Sequence, residues 1–514
     1  MTQRKANTAG FPTTNPELLP ENIEKRSLPE PILLAESEHP LYFIRIHYLR
    51  MQGVPKGLMN GFFMRDGKFY SLFFTMAVTI ALQSAVVFSV NLADAVMLSR
   101  YTETALAGVA LMNQIQFLLQ MLVFGIGEGA LIFASRSWGE RKIEPIRKIA
   151  NIALKFSLFF AILLGGLMLI LPETILGLLA KDEPIVAEGA RYARIIVWSY
   201  PVFAISQILM ILLRSVETVK ISFYLSVVTF FTNVSLNYLL IFGNCGFPEL
   251  GCRGAAVATL SARILELILI VAYLRFIDRK IHLRLPHLLK KVDPLLLTDY
   301  IRTGSPVFLS GTIWGIAMAI QTGILGHLGA SAIAANSVAT TVFQIITVFV
   351  FASASAAAVM IGKTIGERRM DLIHPYVHTF QGLFLGIGIC SGLFLFFLKD
   401  PIILLFTELS PDSAALALQF MTVLSVTTVG TAYQMPVLTG IVRAGGETDF
   451  VLKNDLIFMW LLVLPSSALA AFVFHLSPMV VFLCLKSDQV LKCAVAAVKL
   501  NRYTWIRKIS REEA

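Results

Sequence analysis

One carboxylate, Asp94, interrupts the first long apolar stretch of the chain, within the segment VFSVNLADAVMLSR at residues 87–100. No other charged residue occurs between Ser71 and Asp94. A helix of about 20 mostly apolar residues crosses a bilayer core, so this carboxylate is predicted to lie in or close to the membrane. An ionised carboxylate is costly there unless it is paired, hydrated or bound to a cation. Two interpretations follow: a hydrated residue at the outer interface, or the proton or metal-ion site of a transporter.

Two amides and a hydroxyl have the right chemistry to join Asp94. Asn233 and Asn237 are four residues apart in FFTNVSLNYLLIF, so a helix places both on one face. Thr259 follows in the next apolar stretch, in GAAVATLSAR. Buried amides need hydrogen-bond partners, and such residues often only join helices. Carboxylate, amide and hydroxyl oxygens also suit a hard cation such as Na⁺, and the carboxylate could instead carry a proton.

Other charges fall inside apolar stretches as well. Glu128 lies between two glycines in GIGEGA and has no evident partner nearby in the sequence. It could be a second titrating group, because ionisable residues within the membrane usually serve a function, or a carboxylate solvated from the cytoplasmic side. Arg263 with Glu266, and Asp488 with Lys492, have spacings that allow neutralising pairs along one helix.

Composition places these residues in an integral membrane protein. Hydrophobic residues make up 56% of the 514-residue chain and charged residues 15%, against about 25% charge in soluble domains. Mean hydropathy is +0.72. The predicted fold class is therefore all-α, with about twelve transmembrane helices. The apolar runs lie near residues 71–98, 106–135, 149–170, 187–213, 221–243, 254–277, 300–326, 333–361, 376–398, 414–442, 450–474 and 476–499.

The net charge of +10 indicates membrane topology rather than a nucleic-acid partner. Lys and Arg cluster before the first run and in every second loop after it, which by the positive-inside rule predicts that both termini are cytoplasmic. The five cysteines lack metal-ligand spacing. Cys245 and Cys252 share one predicted outer loop, so the sequence leaves open whether they form a disulfide.

The chain repeats itself once. WGERK at 138–142 returns as IGERR at 365–369, 227 positions later (366 − 139), and SRYTETALAGVA at 99–110 returns loosely as GHLGASAIAANS at the same offset. Six helices per half give both halves the same orientation, as in a parallel transporter repeat. We expect a polar cytoplasmic tail at 1–70, a six-helix lobe at 71–277, a cytoplasmic linker at 278–299, a second lobe at 300–499 and a cytoplasmic tail at 500–514. The glycines of the two GER segments are interpreted as helix ends.

The same offset places Gln321 at the position that corresponds to Asp94 (94 + 227). The second half therefore lacks the ionisable group, and ion coupling is assigned to the first half. Substrate-cavity candidates are Gln321 and the run Tyr433, Gln434 and Met435, where Pro436 frees a backbone carbonyl beside a phenol and an amide.

Several segments occur in a recognisable order: NLADAVMLSR followed by TALAGVA, NVSLNYLLIFG with CRGAAVATLSAR, LLRSVETVK, and GSPVFLSG leading to LGASAIAANSVA. With these segments the chain resembles, from about Ser71 to Lys508, the multidrug and toxic compound extrusion (MATE) family of secondary transporters. The resemblance implies two six-helix lobes in a V and export of organic cations and other amphipathic compounds in exchange for H⁺ or Na⁺. The family's first-helix aspartate matches Asp94, its fifth-helix polar pair Asn233 and Asn237, and its sixth-helix threonine Thr259.

The chain departs from this resemblance at two positions. Trp314 and Ala432 stand where the NorM-like branch carries carboxylates in its seventh and tenth helices, and no proline lies between Ser71 and Asp94. A cation site in the second lobe is therefore not expected, and neither is proline-linked bending of the first helix.

Together these features predict an antiporter, not an enzyme, in the plasma membrane. It would export amphipathic or cationic organic solutes as a monomer, in contact with lipids and with no cofactor besides the transported H⁺ or Na⁺. A lipid-linked oligosaccharide flippase is the alternative transporter, for which a more basic cavity is expected. A membrane-embedded enzyme is a second alternative, although no HExxH or GxSxG pattern occurs in the spans.

Overall fold

A computed structural model describes residues 63–180, 182–283, 291–404 and 409–509. This part of the chain is built from helices, which confirms the predicted fold class. The helices of the first half are α1 Gly67–Tyr101, α2 Glu103–Gly139, α3 Ile143–Ile170, α4 Pro172–Leu179, α5 Glu183–Ile196, α6 Ser199–Ser215, α7 Lys220–Phe242 and α8 Cys252–Ala272, the last continued by a wider π turn at Tyr273–Ile277.

The second half has the same long elements with more interruptions. Its helices are α9 Pro294–Gly326, α10 Ala330–Gly366, α11 Met370–Ile403, α12 Pro411–Met435, α13 Thr448–Asp455, α14 Leu464–Ala468, α15 Pro478–Leu485 and α16 Asp488–Asn501. Wider π turns continue α12 over Pro436–Val442, join α13 to α14 over Leu456–Val463, and extend α14 over Leu469–Val473.

Most predicted spans correspond to single helices. Within the described ranges, ten helical segments are long and apolar enough to cross a membrane, and the bent pair α5–α6 makes an eleventh. The fourth predicted span is this pair, with an angle of 58° at the break. The twelfth predicted span forms two short helices, α15 and α16, because the polar run Lys486-Ser487 separates them.

The expected segment boundaries shift at several places. The first helix begins at Gly67 rather than near 71, because the Asp66 carboxylate caps it by accepting from the Lys68 N–H at 2.9 Å. The remainder of the expected N-terminal tail, residues 1–62, lies outside the described residues. Part of the expected linker is also helical, since α9 begins at Pro294 behind the capping residue Asp293.

Residues 500–509 of the expected C-terminal tail pack against the helices. Trp505 is fully buried (0% exposed) and its indole N–H donates to the Leu500 carbonyl at 2.9 Å. The Arg507 N–H donates to the Gly445 carbonyl at 2.8 Å, which ties this segment to the turn after α12.

The two halves meet where α2 and α10 end, and we call this the paired end of the bundle. Gly139 lies against the backbone of Lys363, and Gly366 lies against the backbone of Arg136, so the two contacts are reciprocal. A Cβ atom at either glycine would overlap the facing helix. The interpretation of these glycines as helix ends is correct but incomplete, because they also allow two helices to approach closely.

Helix α1 is packed against both halves. Near its start, Phe73 contacts Phe380 and Phe384 of α11, with ring centroids 5.6 and 6.5 Å apart. Its last turns pack instead on α7 and expose large apolar side chains, with Leu92 66% exposed. We call the end of the bundle that carries these last turns the Asp94 end.

Candidate functional site

A chain of hydrogen bonds joins three helices at the Asp94 end. The Asn237 amide Nδ2 donates to Asp94 Oδ1 at 2.5 Å and to Asn233 Oδ1 at 3.0 Å. The Asn233 amide Nδ2 in turn donates to Thr259 Oγ1 at 3.2 Å. The structure therefore brings together the four residues that the sequence singled out.

Helix positions explain this convergence. Asp94 lies seven residues before the last residue of α1, or about 10 Å along the axis. The two asparagines occupy one face of α7, one turn apart, near the end of that helix. Thr259 lies seven residues after the start of α8. Because α7 and α8 are antiparallel neighbours joined by a short loop, their polar residues reach the same depth.

The site contains a buried hydrogen-bond acceptor that no described residue satisfies. Asn237 is 0% exposed and Asn233 is 2% exposed, whereas Asp94 is half-buried. Asn237 Oδ1 has no hydrogen-bond partner among the described residues. A buried acceptor without a partner is destabilising, and here it lies on the side chain that contacts the carboxylate. A monovalent cation or a proton at this point would satisfy it.

Two residues that the sequence did not assign to the site lie next to it. The Arg263 guanidinium is attracted electrostatically to Asp94, donates to Ser199 Oγ at 2.9 Å and lies over the Phe203 ring at 4.7 Å. Tyr192 of α5 is 3% exposed and interacts with Thr259 and Asp94. The spacing of Arg263, four residues after Thr259 on the same helix, was the signal that could have placed it here.

Glu128 is remote from this group. It lies 25 residues into α2, or about 38 Å from the start of that helix at the Asp94 end. The sequence showed no partner, but Arg214 at the end of α6 forms an ion pair with it, with Nη1 and Oε1 3.5 Å apart. Arg214 also donates to Ser355 Oγ of α10 at 2.9 Å.

The cavity candidates of the second half do not form one group. Gln321 is 5% exposed and its amide contacts the Met459 sulfur at 3.2 Å. The Tyr433 hydroxyl donates to Gln381 Oε1 at 2.9 Å, and the Gln434 amide donates to Gln489 Oε1 at 3.1 Å. Neighbouring Met435 is half-buried.

The second half nevertheless contains a buried charge network. Lys492 lies 3.0 Å from Asp455 and 3.3 Å from Asp488. The Ser310 hydroxyl donates to Asp455 at 2.6 Å. The expected pair of Asp488 with Lys492 is present, and Asp455 of α13 joins it from another helix.

Cys245 and Cys252 do not form a disulfide. Cys245 is exposed and free, and Cys252 is buried and free. The Cys252 thiol donates to Glu188 Oε2 at 2.8 Å.

Comparison with known proteins agrees with this architecture. The MatE family model matches residues 79–239 and again residues 306–469. The two matches begin 227 positions apart (306 − 79), which is the offset of the internal repeat.

Curated relatives carry transporter names. The multidrug resistance protein MdtK of Pectobacterium atrosepticum is 25% identical over 402 residues, covering 77% of this chain and 86% of that protein. The probable multidrug resistance protein NorM of Photorhabdus laumondii is 27% identical over 382 residues, covering 73% and 82%. An uncharacterised transporter of Bacillus subtilis, YisQ, is 24% identical over 379 residues, covering 73% and 81%.

Solved structures share the fold. A crystal structure of a MATE protein in the straight conformation matches with a TM-score of 0.75 at 19% identity, covering 84% of this chain and 96% of that one. The Vibrio cholerae MATE transporter VcmN, in a mutant form, matches with a TM-score of 0.77 at 18% identity, covering 85% and 98%. Because the family model matches well over half of the sequence, in two successive copies, this chain belongs to the MatE family of multidrug and toxic compound extrusion transporters.

Proposed function

We propose that this protein is a secondary antiporter that exports amphipathic, mainly cationic, organic compounds in exchange for H⁺ or Na⁺. Membership of the MatE family and the multidrug resistance names of its relatives support the substrate class. In this proposal the transporter acts as a monomer among membrane lipids, and the transported ion is the only inorganic partner.

The Asp94–Asn237 contact, with its unsatisfied amide oxygen, is the observation that carries the coupling proposal. A Na⁺ ion could take the Asp94 carboxylate and Asn237 Oδ1 as ligands, with further oxygens from Asn233 and Thr259. A proton on Asp94 could instead be donated to Asn237 Oδ1 after rotation of the amide. Either ion replaces the hydrogen bond that now holds the carboxylate to α7.

Helix α1 provides a route from ion binding to movement of the halves. Its start packs on Phe380 of α11, whereas Asp94 near its end is bonded to Asn237 of α7. A change at Asp94 therefore alters how α1 is held between the two halves. This link is what an antiporter needs, because the ion must favour one arrangement of the halves over the other.

The charge distribution supports an orientation in the membrane. Lys142, Arg141, Arg368 and Arg369 all lie beside the paired end and are exposed. Positively charged residues favour the cytoplasmic side, so we assign the paired end and both termini to the cytoplasm. The protein then lies in the plasma membrane with its halves in contact on the cytoplasmic side and with Asp94 nearer the outside.

Counter-gradient transport tests the proposal. Purified protein in proteoliposomes is given a fluorescent lipophilic cation at equal concentration on both sides, together with an imposed pH or Na⁺ gradient. We expect the dye to move against its own gradient, and an ionophore that removes the ion gradient to abolish this movement. Dye that stays at equal concentration on both sides under either ion gradient would refute the antiporter.

A further inference from the structure

Glu128 lies between two arginines that occupy matching positions in the two halves. Arg214 is near the end of α6 and Arg443 follows the π turn after α12, 229 positions later (443 − 214). Arg214 is 3.5 Å from Glu128 and only 11% exposed. Arg443 is attracted electrostatically to Glu128 and lines the same small cavity at the junction of α2, α10 and α12.

The repeat explains this arrangement. Ser355 occupies the position in α10 that Glu128 occupies in α2 (355 − 128 = 227). Arg214 of the first half donates to Ser355 of the second half at 2.9 Å. By the same relation, Arg443 of the second half faces Glu128 of the first half. The arrangement occurs twice, but only one copy has a carboxylate.

Glu128 interacts with both arginines, whereas Arg443 is also attracted to Asp455 of α13, which Lys492 holds at 3.0 Å. Arg443 Nε is buried without a hydrogen-bond partner in the part of the chain that the structure describes. Leaving a buried charge without its partner is strongly unfavourable. Separating the halves would break the Arg214–Ser355 bond and move Arg443 away from Glu128. The energy of this cluster therefore depends on whether the halves are together.

A second layer of contacts across the same interface lies closer to the helix ends. Lys363 of α10 forms an ion pair with Glu217 at 2.7 Å. The Arg136 guanidinium of α2 donates to the Ala444 carbonyl at 3.3 Å and to the Arg507 carbonyl at 2.8 Å. These contacts also join residues of different halves, so the charge cluster at Glu128 is the inner layer of a larger interface.

We propose that Glu128, Arg214, Arg443 and Ser355 form the lock that holds the two halves together at the paired end. Opening this lock gives access from that end during the transport cycle, so the inference rests on the proposed antiport. In this role Glu128 is a positioning residue. It binds neither the exported compound nor the coupling ion, which stays at Asp94.

The test measures how fast a cysteine placed beside the lock reacts with a thiol reagent. Leu131 is 2% exposed and lines the cavity beside Glu128. The full-length protein carrying Leu131→Cys is treated with a small thiol reagent, and modification at that position is followed by mass spectrometry. We expect Glu128→Gln and Arg443→Met each to raise the labelling rate about five- to ten-fold, in the usual range of coupling between two conformational states.

Matched variants control for charge and for stability. Glu173→Gln removes the carboxylate of an exposed ion pair with Arg194, at 3.1 Å within the first half, and should leave the labelling rate unchanged. The double variant Glu128→Gln with Arg443→Met keeps the net charge of the cluster, and Ser355→Ala removes only the hydrogen bond across the halves. If Glu128→Gln alone does not fold, these two variants are expected to fold and to replace it in the test. Both should raise the labelling rate at Leu131→Cys.

Two outcomes would overturn the lock. One is a labelling rate in these lock variants equal to that of Glu173→Gln. The other is a shift in the ion concentration for half-maximal transport in Glu128→Gln with no change in labelling, which would make Glu128 an ion carrier. Labelling at position 131 does not depend on transport, so the two proposals can fail separately. A raised labelling rate in the lock variants, together with no counter-gradient transport by the wild-type protein, would refute the antiport alone. Counter-gradient transport by the wild-type protein, together with an unchanged labelling rate in the lock variants, would refute the lock alone.

Discussion

The amide of Gln321 in α9 contacts the sulfur of Met459, in the π turn between α13 and α14, at 3.2 Å. The internal repeat relates α9 to α1, and it relates the α13–α14 segment to α7. In the first half, the contact between the corresponding helices joins Asp94 to Asn237 at 2.5 Å. Both contacts link the first long helix of a half to its fifth span. A carboxylate paired with an amide can take up a cation, whereas an amide next to a thioether cannot titrate and binds Na⁺ weakly. The repeat has kept the contact between helices and lost the ionisable chemistry in one copy.

The first prediction is that ion coupling involves only the first half. Gln321→Ala should at most alter the affinity for the exported compound. Asn237→Ala should weaken ion affinity by more than about 1 kcal/mol, the scale of a hydrogen bond to a charged group. Transport rate is measured against ion concentration for wild type and both variants. An equal shift of the ion dependence in Gln321→Ala would mean that the second half also couples, with the Asp455–Lys492–Asp488 network as the next group to examine.

The second prediction concerns Asp94 itself. Asp94→Asn should abolish coupled transport while the protein stays folded, because an amide oxygen can still accept from Asn237 and the cost of a half-buried charge is removed. We expect a thermal midpoint within about 3 °C of wild type or above it. The control Glu103→Gln changes an exposed carboxylate at the start of α2 and should transport normally. Gradient-driven transport by well-folded Asp94→Asn protein would remove Asp94 from the mechanism.

The Asp94 group could be predicted from the sequence because each of its signals is local. A carboxylate in an apolar, membrane-spanning stretch is energetically unfavourable, which identified Asp94 as a candidate site residue. The spacing of four residues placed Asn233 and Asn237 on one helix face. The internal repeat then identified Gln321 as the counterpart without a charge. The first two inferences need only helix geometry and membrane thickness, and the third needs only a comparison of the two halves of the sequence.

The contacts of Glu128 and Gly139 with distant helices could not be predicted in this way. Glu128 and Arg214 are 86 positions apart (214 − 128), and nothing in either segment indicates that α2 and α6 bring them within 3.5 Å. The same holds for Gly139, whose close approach to Lys363 depends on how the two halves pack. The break between α15 and α16 was missed because the apolar residues continue on both sides of Lys486.

The third prediction is the orientation of the chain, and a natural cysteine can report it. Cys245 is exposed in the loop after α7, at the Asp94 end. An impermeant thiol reagent added to intact cells should label wild type at Cys245 but not Cys245→Ser. In that background, Arg369→Cys at the paired end should be labelled only after the membrane is permeabilised. Labelling of Arg369→Cys in intact cells would place the termini outside.

The last prediction is that Arg263 competes with the coupling ion for Asp94. Its guanidinium attracts the Asp94 carboxylate and is held in place by Ser199 and by the Phe203 ring. A resident positive charge stabilises the ion-free carboxylate and so weakens the binding of any other cation. Arg263→Met should therefore lower the ion concentration for half-maximal transport, by about two- to ten-fold for a coupling of up to 1.4 kcal/mol.

The control for this prediction is a second arginine near the end of the same transmembrane segment. Arg275 lies in the π turn that continues α8, and it is exposed beside Phe276. Arg275→Met removes the same charge three turns farther from Asp94 and should leave the ion dependence unchanged. Slower maximal transport in Arg263→Met would accompany the tighter binding, because an ion that binds more strongly is also released more slowly. Weaker ion binding in Arg263→Met would show instead that Arg263 helps to build the site.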